Sequence, residues 1–187
     1  MTTGHATGHV FIAVSLDGYI ARPDGGIDWL DAGPPAPEDE DFGYAAFVAR
    51  MDGLVMGRES FETVLGFGDW PYEMPVVVLS STLTEGDIPA RLRGRVLLMS
   101  GEPAAVMEQL AGRGWARVYI DGGETIRRFL RAGYIAEMIL TRLPVLIGAG
   151  RPLFGALAQD LWLEHAGTES FANGFVQSRY AVPVPRS

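Results

Sequence analysis

The chain has 187 residues, 48% of them hydrophobic and none of them cysteine, with a formal net charge of −8. Such a length suits one domain with a sizeable core, and the missing thiols exclude disulfides, thiolate metal sites and thiol catalysis. The negative balance argues against general attraction to nucleic acid or to an anionic membrane, so an anionic ligand would have to be met by a local basic pocket.

No apolar run reaches the roughly 18 residues that a membrane span needs. The opening "MTTGHATGH" has no basic region followed by an apolar one, so no secretory signal is read there. A cytoplasmic protein is expected, with residues 1–8 as a flexible tail and 9–187 as a single domain.

"HVFIAVS" (9–15) has the dense apolar character of a buried central strand, and the Gly, Asp and Pro that follow predict a long loop of functional character. "EDEDFGYAAFVARM" follows Pro37 and spaces Phe42, Ala45, Ala46 and Ala49 for one face of an amphipathic helix. The acids Glu38, Asp39, Glu40 and Asp41 would then complement the helix dipole. "GLVMG" (53–57) predicts a strand and "RESFETVLG" a short helix, while "PVVVLSS" and "RVLLMSG" predict two further strands. "EPAAVMEQLAGRG" predicts a helix ended by glycine, "ARVYID" a strand and "ETIRRFLRAG" a helix. The last third changes character: "AEMILTRLPVLIG", "LWLEHAGTESF" and "GFVQSRYAV" are consecutive strand-like runs, with Asn173 and Gly174 at a turn. Alternating βα units followed by antiparallel strands predict an α/β fold of three layers, a mostly parallel mixed sheet with helices on both faces.

In such sheets ligands bind beyond the C-terminal strand ends. Three of these ends carry suitable chemistry. "VYIDGGETIRRFL" places Gly122 and Gly123 between a strand and a helix, "LVMGRESFE" places Gly57 and Arg58 at a second such junction, and "VVVLSST" ends in Ser80, Ser81 and Thr82. Glycine there permits either a tight turn or the close approach of a phosphate to a helix N-terminus, and a guanidinium suits phosphate oxygens. Neither the three-glycine dinucleotide fingerprint nor a G-x-x-x-x-G-K-[ST] loop occurs.

"FIAVSLDGYIA", "LVMGRESFE", "VVVLSST", "VYIDGGETIRRFL" and "LPVLIGAGRPLF", in that order, resemble the dihydrofolate reductase superfamily, and within it the reductase (C-terminal) domain of the riboflavin-biosynthesis protein RibD. The likeness runs from about Val10 to about Val182. It implies an NADPH-dependent reductase. Gly57, Arg58, Glu59 and Ser60 match the segment around the cofactor's pyrophosphate and adenosine. Arg58 with Ser80 and Ser81, flanked by Leu79 and Gly101, match the side of the 2′-phosphate. Asp121, Gly122, Gly123, Glu124, Thr125 and Ile126 match the pyrophosphate-binding helix start, with a cis Gly122–Gly123 peptide expected from dihydrofolate reductases. Ala13 and the segment Leu16–Ile20, including Gly18, Tyr19 and Ile20, match the part lying along the nicotinamide. Tyr19 stands where the riboflavin branch usually has lysine, and the zinc deaminase signature is missing. A stand-alone reductase of a small pterin- or pyrimidine-like heterocycle, or of a carbonyl compound, is therefore expected. True dihydrofolate reductase activity and a non-catalytic nucleotide-binding module are the alternatives.

For the substrate side, Asp17 at the end of the first strand is the candidate to orient or protonate the substrate, its alternative being a turn aspartate before Gly18. Trp29, Phe42 and Trp70 are candidates for a flat pocket, and core packing is their alternative. Thr141 matches a pocket-facing threonine of the family. His5, His9 and His165 support no metal site. "VLIGAGRPLFG" reads as a tight turn between strands. A homodimer is expected from the riboflavin branch.

Overall fold

Valine-rich runs become strands here because both of their faces are covered. In the computed structural model, which describes residues 5–183, β3 (Gly53–Gly57), β4 (Val76–Leu79), β5 (Val96–Met99) and β6 (Arg117–Ile120) lie parallel beside β1 (Thr7–Ser15) and β7 (Ile135–Leu143). β9 (Glu164–Ser170) and β10 (Val176–Ala181) complete one edge antiparallel, giving the order β5-β4-β3-β6-β1-β7-β10-β9. Val55, Val77, Val118 and Ile120 join one apolar cluster, while Leu54, Met56, Val76, Val78 and Tyr119 join another. Successive residues of a strand thus enter opposite layers, as a pleat of period two requires.

α3 (Pro103–Gly112) and α4 (Gly123–Arg131) supply Val106, Leu110, Ile126 and Phe129 to the first cluster. α1 (Tyr44–Val48) and α2 (Arg58–Leu65) supply Phe47 and Phe61 to the second. The three-layer α/β fold with a mixed sheet is the one expected. β3 and β6 are neighbours, yet α2 leaves β3 toward one face and α4 leaves β6 toward the other. Helices that diverge from adjacent parallel strands open a crevice at the strand ends, and this is the place where such sheets bind ligands.

Three local readings change. β1 opens at Thr7 and Ala6 is buried, so ordered structure begins inside the segment expected as a tail; residues 1–4 lie outside the described range. The helix expected from Glu38 shrinks to Tyr44–Val48. Asp39, Phe42 and Gly43 have φ of 63°, 57° and 80°, which end any helix, and the Phe42 N–H donates to Glu40 while Gly43 and Ala45 donate to Asp41. Those N–H donors hold the Asp41 carboxyl below its ordinary value. Its buried face is Phe47, with Tyr44 and Val48 partly covered, whereas Ala45, Ala46 and Ala49 are exposed.

The third change is a small second sheet in which β2 (Tyr19–Ala21) pairs antiparallel with β8 (Arg151–Pro152). "VLIGAGRPLFG" is therefore more than a turn. The arm returns from β7 to lie on the loop after β1, with Leu153 N–H donating to Gly18 O at 3.0 Å. Among the described residues no helix is long and apolar enough to cross a membrane, and no group of three or more His, Asp or Glu could hold a metal ion.

Candidate functional site

β6 ends at Ile120, and the next three residues build the centre of the site. Asp121 Oδ1 accepts from the Gly122 N–H at 2.8 Å, and Gly122 O accepts the first helical bond of α4, from Ile126 N–H, at 2.8 Å. The N–H groups of Gly123, Glu124 and Thr125 are left without intrahelical acceptors at the positive end of the helix dipole. All described peptide bonds are trans, the Gly122–Gly123 bond included, which corrects the expected cis geometry.

Two other features favour glycine there. Gly122 adopts φ 86° and ψ 131°, a region in which a side chain is strained. Both glycines are also roofed: a Cβ on Gly122 would lie 2.4 Å from Ser60 Oγ, and one on Gly123 would lie 2.5 Å from Ile20 Cδ1. The roof comes from α2 on one bank and from β2 on the other.

Between these banks runs a groove of about 740 Å³. Of the sequence candidates for the cofactor, Ala13, Ile20, Gly57, Arg58, Glu59, Ser60, Leu79, Asp121, Gly122, Gly123, Glu124 and Thr125 line it. A recess of about 470 Å³ continues it past Arg58 and Leu79 to Ser80, Ser81 and Gly101. Separate strand ends that looked weakly informative alone thus form one continuous surface. Gly18 and Tyr19 do not line the groove; they hold the arm and β8 through Gly18 O and the Tyr19–Pro152 pairing. Ile126 is fully buried beneath the helix start.

The substrate candidates fall elsewhere. Trp29 is buried with Leu143 and Phe175, and Phe42 packs on Phe171 and Phe175 at 4.8 and 5.5 Å between ring centroids. Trp70 meets Phe61 and Tyr72 edge-on. Thr141 is buried and accepts from Gln177 Nε2 at 2.9 Å. Core packing is the reading these positions follow. The aromatic side chains that do line the groove are Phe67 and Tyr72.

Asp17 is also committed elsewhere. Ser15 Oγ donates to Oδ1 at 2.6 Å, and the N–H groups of Ile147 and Gly148 donate at 3.3 and 2.8 Å. The Ser15 hydroxyl first, then those backbone donors, hold its carboxyl below the ordinary value. These contacts tie the arm to the end of β1 and favour the ionised form of the carboxyl. Its contribution is present above the unfolded carboxylate pKa and is lost as pH falls through the lower folded one. In Asp17→Asn the Ile147 and Gly148 amides should therefore exchange with deuterium faster at neutral pH, and unchanged protection would contradict the anchoring role.

Asp121 behaves in the opposite way. Burial pushes its carboxyl above the ordinary value, against the partial offset of the Gly122 N–H. The same negative charge adds to burial in raising Tyr44, to about 12, and in raising Tyr72 and Tyr119. A carboxyl that resists ionisation on a groove wall is suited to holding a proton for delivery.

Three guanidinium groups beyond Arg58 reach the groove. Arg127 donates to Pro152 O and to Glu124 at 2.9 Å, Arg128 to Gly101 O at 3.0 Å, and Arg151 to Glu59. Arg127 and Arg128 sit in the helix that carries the glycine pair, one and two residues past its first turn, a spacing that could have marked them. Each of the four guanidiniums lies within ion-pair distance of a carboxylate: Arg58 of Glu62, Arg127 of Glu124, Arg128 of Glu102 and Arg151 of Glu59. Glycine-lined strand ends, open helix amides, hydroxyls and four arginines fit a phosphorylated dinucleotide.

The sequence and the fold are shared with known proteins. The RibD C-terminal domain family matches residues 6–177. The Bacillus subtilis (strain 168) protein YwjB is 32% identical over 173 residues, covering 91% of this chain and 95% of YwjB. A crystal structure of a putative riboflavin biosynthesis protein from Shewanella sp. PV-4 is 43% identical, with a TM-score of 0.88 over 95% of this chain and 99% of that one. Dihydrofolate reductase from Enterococcus faecalis, complexed with NADP(H), shares the fold at 17% identity, with a TM-score of 0.60 over 94% of this chain and 96% of that one. From the glycine-centred crevice to the antiparallel edge, this chain belongs to the RibD C-terminal domain family.

Proposed function

We propose that the protein is an NADPH-dependent reductase that acts on a C=N or C=O bond of a small pyrimidine- or pterin-like compound. The observation that carries this reading is the continuous groove from Ala13 to the Ser80–Gly101 recess, with the open N-terminus of α4 at its middle. Arg58, Ser80, Ser81 and Arg128 would hold the 2′-phosphate, since they line the recess together. The α4 amides at Gly123 and Glu124 would hold the pyrophosphate.

The cofactor supplies the hydride. The chain's own task is to position, to exclude water and to provide a proton. Ala13, Ile20, Ile27 and Leu30 give the groove an apolar wall for a flat ring. Asp121 would hold a proton for the substrate nitrogen or oxygen and would regain it from solvent. This gives Asp121, placed by the sequence with the cofactor residues, the part first sought in Asp17.

Fluorescence titration with NADPH, followed by NADPH oxidation assays over pyrimidine, pterin and carbonyl compounds, tests the reading. Binding without turnover on any of them would favour the non-catalytic alternative, and rapid turnover restricted to dihydrofolate would favour a folate enzyme. Arg58→Ala should weaken NADPH by about ten- to a hundredfold, the worth of a charge-assisted contact of about 1.5–3 kcal/mol. NADH, which lacks the 2′-phosphate, should change little. Equal losses for both coenzymes would remove Arg58 from the 2′-phosphate site.

A further inference from the structure

Arg151 and Glu59 come from opposite banks of the groove. Glu59 lies in the first turn of α2, next to Ser60, whose hydroxyl covers Gly122. Arg151 lies in β8, paired with β2, whose Ile20 covers Gly123. Their side chains form an ion pair, so charge links the two banks that meet at the glycine pair. Both residues line the groove, Glu59 largely exposed and Arg151 partly so, with side-chain accessibilities of 68% and 41%.

The Arg151 backbone is well fixed while its head group is free to change partner. Pairing with β2, the Leu153 to Gly18 hydrogen bond and Arg127 on Pro152 O hold the strand. The guanidinium passes over Gly25, where a Cβ would come within 3.4 Å of it. Glu59, by contrast, places a negative charge beside the helix start that suits an anion. A diphosphate seated at the α4 N-terminus would be repelled by Glu59 and attracted by Arg151, and an exposed ion pair is weak enough to be exchanged for a charge-assisted bond to phosphate.

We propose that Arg151 is a diphosphate-binding residue, held across the groove by Glu59 in the free protein and transferred from that carboxylate to the diphosphate when the dinucleotide enters. This rests on the dinucleotide reading above and adds a residue and an order of events to it. Arg151 acts on the ligand directly, and Glu59 acts through Arg151.

The test is a double-mutant cycle on NADPH affinity, read by fluorescence titration of the full chain. Glu59→Gln releases the guanidinium and should tighten NADPH about two- to fivefold, the worth of an exposed ion pair. Arg151→Gln should weaken it by about tenfold or more. In the double variant the Glu59→Gln gain should vanish, because the guanidinium it frees is gone. A gain that persists in the Arg151→Gln background would mean that Glu59 merely repels phosphate, and would overturn the proposal. So would an unchanged affinity in Arg151→Gln. The tightening in Glu59→Gln cannot arise from misfolding, which protects the test against a poorly folded Arg151 variant. Wild-type protein that fails to bind NADPH would overturn the dinucleotide reading itself. Normal wild-type binding with an additive cycle would overturn only the transfer.

Discussion

Exchanging Asp121 for asparagine is expected to lower kcat/KM by about 10²–10⁴-fold, the usual range for a positioned acid or base, while raising the melting temperature at neutral pH. The two effects share one cause. Burial lifts the folded-state pKa of Asp121 above the unfolded carboxylate value. Between those two values the folded protein binds more protons than the unfolded chain, so stability falls as pH rises through the interval. Above the folded pKa the whole penalty is in place, because an ionised carboxylate must then be held at a desolvated position or be neutralised by local adjustment. Asparagine keeps the shape and an acceptor for the Gly122 N–H but carries no charge, and so avoids the penalty.

The wild-type pH profile gives the matching kinetic sign. An acid must be protonated to act, so kcat/KM should fall as pH rises through the raised pKa of Asp121. In Asp121→Asn that limb should be missing from whatever activity survives. A merely structural Asp121 would lose stability on substitution and keep the limb. Full activity in a stabilised variant would sink the assignment as surely, since it would leave this carboxyl without a task.

The frame of the fold was open to reading because its strands are buried on both sides. "VVVL" and "GLVMG" admit few alternatives when every residue must be apolar, and the glycines after β6 stand at a strand end whichever ligand they serve. What failed to read were features decided by partners far away in the chain. Asp17 is held ionised by Ser15 and the 147–148 amides, whereas Asp121 is pushed the other way by burial at the end of β6, and neither environment is written in the neighbouring sequence. Trp29 and Phe42 suit a flat pocket as well as a core, and the neighbours they pack on, Leu143, Phe171 and Phe175, lie far away in the chain.

Short-range chemistry misled at one place and was too brief at another. The acids before α1 looked like the first turn of a helix, yet Glu40 and Asp41 take backbone N–H groups in turns that hold Asp39 and Phe42 at positive φ. The pairing of Tyr19–Ala21 with Arg151–Pro152 is too short to leave a periodic trace, although it is what brings Arg151 to the groove.

Alanine at Gly122 and alanine at Gly123 should differ, although both glycines are roofed at nearly the same distance. Gly122→Ala meets two obstacles. Its φ of 86° and ψ of 131° cost a residue with a side chain about 1–3 kcal/mol, and its new methyl would stand 2.4 Å from Ser60 Oγ. Gly123 has no positive φ, and its methyl would meet Ile20 Cδ1, the far end of a flexible side chain, at 2.5 Å. Denaturant unfolding should therefore show Gly122→Ala as clearly the more destabilised. Removing the hydroxyl in Gly122→Ala/Ser60→Ala should recover the contact part, because the Ser60 Cβ lies an ordinary 3.5 Å away, and should leave the backbone part. Gly123→Ala should instead displace Ile20 with β2, and so weaken NADPH more than it weakens the fold. Equal destabilisation by the two alanines, or complete rescue of Gly122→Ala by Ser60→Ala, would show that crowding rather than backbone conformation sets the glycine at this helix start.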